Sequence, residues 1–317
     1  MKETLLITGG TGFLGRHLGR ALKDRYAVVL TGRNNAQNML AEESTGCRTL
    51  PMDIVNIESI RDAFTETRPE IVIHAAATKY VDLAERQPME CVDVNVIGSQ
   101  NIARVALEKQ VKVVVGISTD KAAPPVRNTY GLSKALMERI FCSMNGKAET
   151  KFACVRFGNI AWSTGSVLPI WKKMHETTGV IGTSGPECRR YFFTVDEAVQ
   201  LVLMAVENID ELQGKVLSRE MKAAQVRDLL DTWIKHKGGE WKKIAGRPGE
   251  RIDETLIGEL ELPHTTEMVL NGLNHHIISF NEKAEHPLTE VLTSETSARL
   301  SEEELLEIIN HPPQEEV

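Results

Sequence analysis

"TLLITGGTGFLGRHLGRALKDRYAVVLTGRN", residues 4–34, reads as a strand, a glycine loop, a helix and a second strand. The apolar run Leu5, Leu6, Ile7 is continuous rather than alternating, as in a strand covered on both faces. "GFLGRHLGRALKDR" then spaces its apolar residues for a helix, and "AVVLTG" restores the strand pattern. Strand, crossover helix and strand make one β-α-β unit with parallel strands. The alternation continues through "CRTLPMDI", "ESIRDAFTETRP", "EIVIHAA", "NVIGSQNIARVALEKQ", "VKVVVGIST" and "KFACVRFGN". The pattern predicts an α/β fold: a doubly wound parallel sheet of at least six strands, ending near residue 158.

The second half is less regular. "STGSVLPIWKKMHETTG" reads as a loop and a helix stopped near Gly179. "TVDEAVQLVLMAVENI" has Thr194 as N-cap, with Asp196 and Glu197 at the positive helix end. "AAQVRDLLDTWIKHKGG" is a further helix, and "RLSEEELLEIINHPP" carries Ser301 and Glu304 at capping-box spacing before Pro312. The expected organisation is one domain over 1–158, with the helix 194–209 packing back onto it. Residues 159–317 are expected to form mainly a smaller C-terminal lobe over the carboxyl edge of the sheet.

Gly9, Gly12 and Gly15 form G-x-x-G-x-x-G after the first strand. Such glycines let the backbone approach a pyrophosphate, which the helix N-terminus at Phe13 and Leu14 then attracts. The 1–158 domain is therefore expected to bind a nicotinamide dinucleotide. An acid at the end of the second strand would hold the adenosine ribose, whereas an arginine would pair with a 2′-phosphate. "VVLTGRN" offers Arg33 and no acid, so NADP is favoured over NAD. Asp53 and Ile54 follow the third strand, where an acid can reach the adenine amine. Ala75, Ala76, Ala77 and Lys79 follow the fourth and complete the expected cofactor wall.

"ISTDKAAPPVRNTYGLSK", residues 117–134, holds the chemistry. Tyr130 and Lys134, four residues apart on a helix, share a face, so the ammonium can lower the phenol's pKa toward that of a useful base. Thr119 can bond the same substrate hydroxyl. Asp120 and Lys121 add an acid and a base that simple alcohol oxidation does not need.

A formal charge of −7 argues against a nucleic-acid or anionic-membrane partner. Five scattered cysteines with no C-x-x-C pair suggest buried thiols in a reducing compartment. "MKETLLITGG" does not read as a signal peptide, no apolar run is long enough to span a bilayer, and the chain reads as cytoplasmic. His275 and His276 have no companions at ligand spacing, so no metal is expected. His74 reads as a satisfied core histidine, and Trp233 and Trp241 as core.

"GGTGFLG", "HAAATKYVDLAERQP", "STDKAAPP", "YGLSK", "VRFGNIAWSTGSVLP" and "RPGERIDE" together resemble the extended short-chain dehydrogenase/reductases, whose cofactor domain is Rossmann-type. Within them the chain is most similar to the soluble UDP-N-acetylglucosamine 4,6-dehydratases of the polysaccharide-biosynthesis group, from about residue 4 to about 257. The resemblance implies that Tyr130, with Thr119 and Lys134, oxidises C4 of the sugar. Lys121 would then remove the C5 proton, and Asp120 would protonate the departing C6 hydroxyl. It also implies a UDP-sugar partner held by Lys79, Asn159, Ser166, Val167, Arg190, Arg247 and Glu250. A homo-oligomer paired through long helices, such as the one from Tyr130 to Phe141, is a further expectation. A UDP-sugar epimerase, a 5,6-dehydratase and a non-catalytic NADP-binding regulator are the competing readings.

The chain departs from the family pattern in three places. Lys121 and Tyr130 stand one residue further apart than in the family; Ala161, Trp162 and Thr164 replace small residues and an arginine; and Arg189, Arg190 and Tyr191 replace a Thr-Arg-Phe environment.

Overall fold

The computed structural model describes residues 2–246 and 250–313. Strands β1 (Thr4–Thr8), β2 (Ala27–Gly32), β3 (Arg48–Pro51), β4 (Ile71–His74), β5 (Val113–Ile117) and β6 (Lys151–Val155) lie where the apolar runs put them. They pair in parallel in the order β3-β2-β1-β4-β5-β6. Leu5, Leu6, Ile7, Val72, Ile73, Val114 and Val115 are wholly buried, which is why these strands carry no polar alternation. The strand order reverses between β1 and β4, and the crevice outside their carboxyl ends is where an open α/β sheet collects ligands.

The sheet does not stop at β6. Lys215–Arg219 joins β6 in parallel, and the hairpin Thr265–Leu270 and Leu273–Ser279 adds two antiparallel strands, giving nine in all. The boundary expected at residue 158 is thus crossed by the sheet itself, because these strands bury Val216, Leu217, Ile277 and Ile278 against the first-half core. Asn271 and Gly272 turn the hairpin with positive φ at both residues, as the favoured two-residue hairpin requires. The helix Val195–Glu207 packs on α1 (Phe13–Leu22) and on β5 and β6, closed at its start by a Thr194–Glu197 capping box.

A second apolar cluster holds three helices of the second half together. Trp171, Leu229, Leu230, Trp233, Leu305 and Ile309 join Val167–Thr178, Val226–Lys237 and Glu302–Asn310. Trp162 packs on Trp233 and donates from Nε1 to the carbonyl of Ile308 at 2.6 Å, tying the chain after β6 to the last helix.

Candidate active site

One cavity of about 620 Å³ opens at the carboxyl ends of β1, β4 and β5. Its glycine edge fits a pyrophosphate. Gly9 has φ +64°, and a Cβ there would stand 2.7 Å from Ala76 Cα; one on Gly15 would stand 2.5 Å from Gly9 O. Gly12 caps α1 without a side chain, so the first backbone N–H groups of the helix face the cavity uncovered. Phe13, Leu14, Ile54, Ala75, Ala76 and Ala77 line the same trough. Arg33 lies exposed at its far end and makes no hydrogen bond or ion pair with any described residue. Asp53 also lines it, while its Oδ1 accepts from Val55 N to hold the turn.

At the other end the reactive side chains converge. Thr119 ends the segment after β5, and its hydroxyl donates to Asp120 Oδ1 at 2.8 Å. Lys121 Nζ donates to the same oxygen at 3.1 Å and to Asn159 Oδ1 at 3.4 Å. Asp120 is completely buried, and its Oδ2 has no hydrogen-bond partner among the described residues. Gly158 packs beside that atom because a Cβ there would strike Tyr191 Cβ at 2.5 Å. Tyr130 opens the first turn of the helix Thr129–Met144, capped by Asn128, and hydrogen-bonds Thr119.

Burial pushes the Tyr130 phenol up to about 12; the Lys121 charge and the Thr119 bond oppose it, and Asp120 reinforces it. The sequence reading assigned the opposing charge to Lys134. Lys134 instead points its Nζ at Met137 Sδ, 3.2 Å away, and burial lowers its own pKa to about 8. Burial also lowers Lys121, but the adjoining carboxylates of Asp120 and Glu254 outweigh it and hold the ammonium above its usual range.

The expected sugar-binding residues fall into three groups. Asn159, Ser166 and Lys79 line the cavity. Ser166 caps Val167–Thr178 with no side-chain bond and leaves its Oγ buried and unpartnered among the described residues, while Val167 lies just behind it as the first helical residue. Lys79 spans the mouth to the Thr164 carbonyl at 2.5 Å, its pKa lowered by desolvation. Arg190 is outside the cavity wall. Its guanidinium donates to the carbonyls of Arg189, Arg251 and Ile252 and stands 3.7 Å from Glu254 and 4.0 Å from Glu250. Arg247 lies outside the described residues.

Sequence reasoning missed Tyr80, Ser118, Gly158 and Thr164 on the cavity wall, and Glu254 behind it. Gly165 is a signal that could have found the Tyr80 contact: its φ is +78°, and a Cβ would strike the Tyr80 ring at 2.5 Å. His74 is satisfied between Thr8 Oγ1 and Ser99 Oγ, and burial lowers its pKa to about 3. Among the described residues no cluster of His, Cys, Asp and Glu could hold a metal, and no helix is long and apolar enough to cross a membrane.

The family model described as "Polysaccharide biosynthesis protein" matches residues 5–271. A UDP-N-acetylglucosamine 4,6-dehydratase (inverting) of Campylobacter jejuni is 30% identical, with 98% of each chain covered. A UDP-glucose 4-epimerase of Rickettsia bellii is equally similar at 30%, over 97% of this chain and 95% of the epimerase. Among solved structures, Pen from Bacillus thuringiensis superposes with a TM-score of 0.89 at 28% identity, covering 98% of this chain and 97% of that one.

Proposed function

The chain belongs to the polysaccharide-biosynthesis family, and we propose that within it the protein is an NADP-dependent 4,6-dehydratase of UDP-N-acetylglucosamine. Identity alone does not separate dehydratase from epimerase, since relatives with both names are 30% identical. The observation that carries the reading is the buried Asp120–Lys121 pair beside Tyr130. Epimerisation at C4 breaks no C–O bond at C6 and has no use for an acid and a base there. Elimination of water across C5 and C6 needs both.

Gly9, Gly12, Gly15 and the α1 N-terminus would hold the cofactor pyrophosphate, Arg33 its 2′-phosphate, and Lys134 the ribose next to the nicotinamide. When bound, the cofactor supplies the two-electron oxidation at C4 and the matching reduction at C6. Tyr130 reacts as the phenolate, the form that the Lys121 charge and the Thr119 bond favour: its Oη takes the C4 hydroxyl proton, with Thr119 orienting that hydroxyl. The C4 ketone acidifies the C5–H. Passage of one proton from Lys121 Nζ to Asp120 across their 3.1 Å contact yields a neutral amine and a carboxylic acid in a single move. Lys121 then removes the C5 proton, and Asp120 gives its proton to the C6 oxygen, which leaves as water; as C6 is reduced, Lys121 returns its proton to C5, and the proton held by Tyr130 restores the charge of the pair. Asn159 and Ser166 would meet the diphosphate, helped by the unpaired N–H groups that open Val167–Thr178. Arg247 and Glu250 remain proposed contacts of the nucleotide.

Incubation with UDP-N-acetylglucosamine should give a product lighter by one water. Lys121→Ala should lower kcat about 10²- to 10⁴-fold, as for loss of a positioned base, while C4 oxidation persists as transient absorbance of reduced nicotinamide. A product of unchanged mass would favour the epimerase instead, and wild-type rates in the variant would remove Lys121 from the chemistry.

A further inference from the structure

Glu254 lies far along the chain from the Thr-Asp-Lys triplet, immediately before the strand Thr255–Ile257, which packs against the turn Asp120–Ala122. It is 4% exposed. Its Oε1 stands 3.5 Å from Lys121 Nζ and 3.7 Å from Arg190 Nε, and its Oε2 is buried with no hydrogen-bond partner among the described residues. Its backbone is fixed from both sides: Glu254 N donates to Ser294 Oγ at 3.0 Å, and Ser294 N donates to the Glu254 carbonyl at 2.8 Å. A buried carboxylate with half of its acceptor capacity unused is costly for a purely structural role.

We propose that Glu254 is a positioning residue of the elimination, a second carboxylate that strengthens Lys121 as a base and stabilises the charge it gains on taking the C5 proton. The inference rests on the dehydratase reading. It gives Arg190 a role other than the expected grip on the diphosphate, because Arg190 braces Glu254 while its remaining donors are held by backbone carbonyls. Lys121 is faced by Asp120 from its own turn, Glu254 from the segment before Thr255, Arg190 from the neighbouring strand and Tyr130 from the helix Thr129–Met144. Asp120 and Glu254 favour its charged form, and Arg190 disfavours it.

The sign of the effect follows from the proton count. The productive form of Asp120 and Lys121 holds one proton between them, so activity falls at low pH where both are protonated and at high pH where neither is. The Glu254 charge favours proton binding and places both limits higher. Glu254→Gln should therefore move the acid limb of kcat/KM to lower pH by roughly 1 unit, the size of effect one close charge exerts. It should also lower kcat at the plateau by roughly tenfold, while reduced nicotinamide still appears on C4 oxidation.

Circular dichroism establishes that the variant is folded. If it is not, Glu254→Asp, with its carboxylate withdrawn by one methylene, should move the limb partway in the same direction. An acid limb and plateau unchanged from wild type overturn the role of Glu254 and leave the dehydratase reading standing. Absence of water loss in the wild-type protein overturns both.

Discussion

On the proposed reading, Arg33 is the residue on which cofactor choice turns. It stands exposed at the end of β2, lines the cavity, and has no described carboxylate to neutralise it. A charge-assisted bond to a phosphate contributes about 1.5–3 kcal/mol. Arg33→Ala should therefore raise KM for NADP on the order of ten- to a hundredfold and leave KM for NAD nearly unchanged; equal effects on both would remove Arg33 from the 2′-phosphate site. The place of such residues on the cavity wall was legible in the sequence because it is set locally. Arg33 follows a strand, Tyr130 and Lys134 share one helix face, and Gly9 sits where only a residue tolerant of φ +64° fits. Glu254 was not legible. Its partner Lys121 is brought to it only when the strand Thr255–Ile257 folds against the Asp120 turn. Arg190, expected at the diphosphate, stands off the cavity wall and donates to backbone carbonyls that only the fold brings to it.

Among the elements, the helix carrying Tyr130 is held in place by a buried ion network. Arg156, just after β6, donates from Nε and NH2 to both oxygens of Glu138 on that helix at 3.0 and 2.7 Å. It also donates to both oxygens of Glu261 at 2.9 and 2.8 Å and to the Leu256 carbonyl at 3.0 Å. All three charged side chains are almost fully buried. Replacing only the cation leaves two carboxylates uncompensated, so Arg156→Met should cost about 3–5 kcal/mol of stability, read as a lower Tm and a lower denaturant midpoint. A variant as stable as wild type would mean that the network contributes nothing net. Helix and strand identities in the first half followed from hydrophobic period alone. The hairpin Thr265–Leu270 and Leu273–Ser279 was missed although Asn271-Gly272 is a strong turn signal, because its apolar residues neither alternate with polar ones nor form a continuous run.

For the whole molecule, the main sheet runs across the division expected at residue 158. The second half supplies three strands to the main sheet and a helix to its face, then sends Glu254 back to Lys121. Trp162, at φ +63°, shows the same coupling, since it links the cavity-lining segment after β6 to the final helix. The central claim is that one cavity makes a ketone at C4 and uses it to expel the C6 hydroxyl. The most direct measurement is the fate of deuterium placed at C4 of UDP-N-acetylglucosamine, followed by mass spectrometry and NMR. The account predicts a product lighter by one water with the deuterium at C6. A product of unchanged mass with deuterium retained at C4, or loss of water with no deuterium at C6, would contradict it.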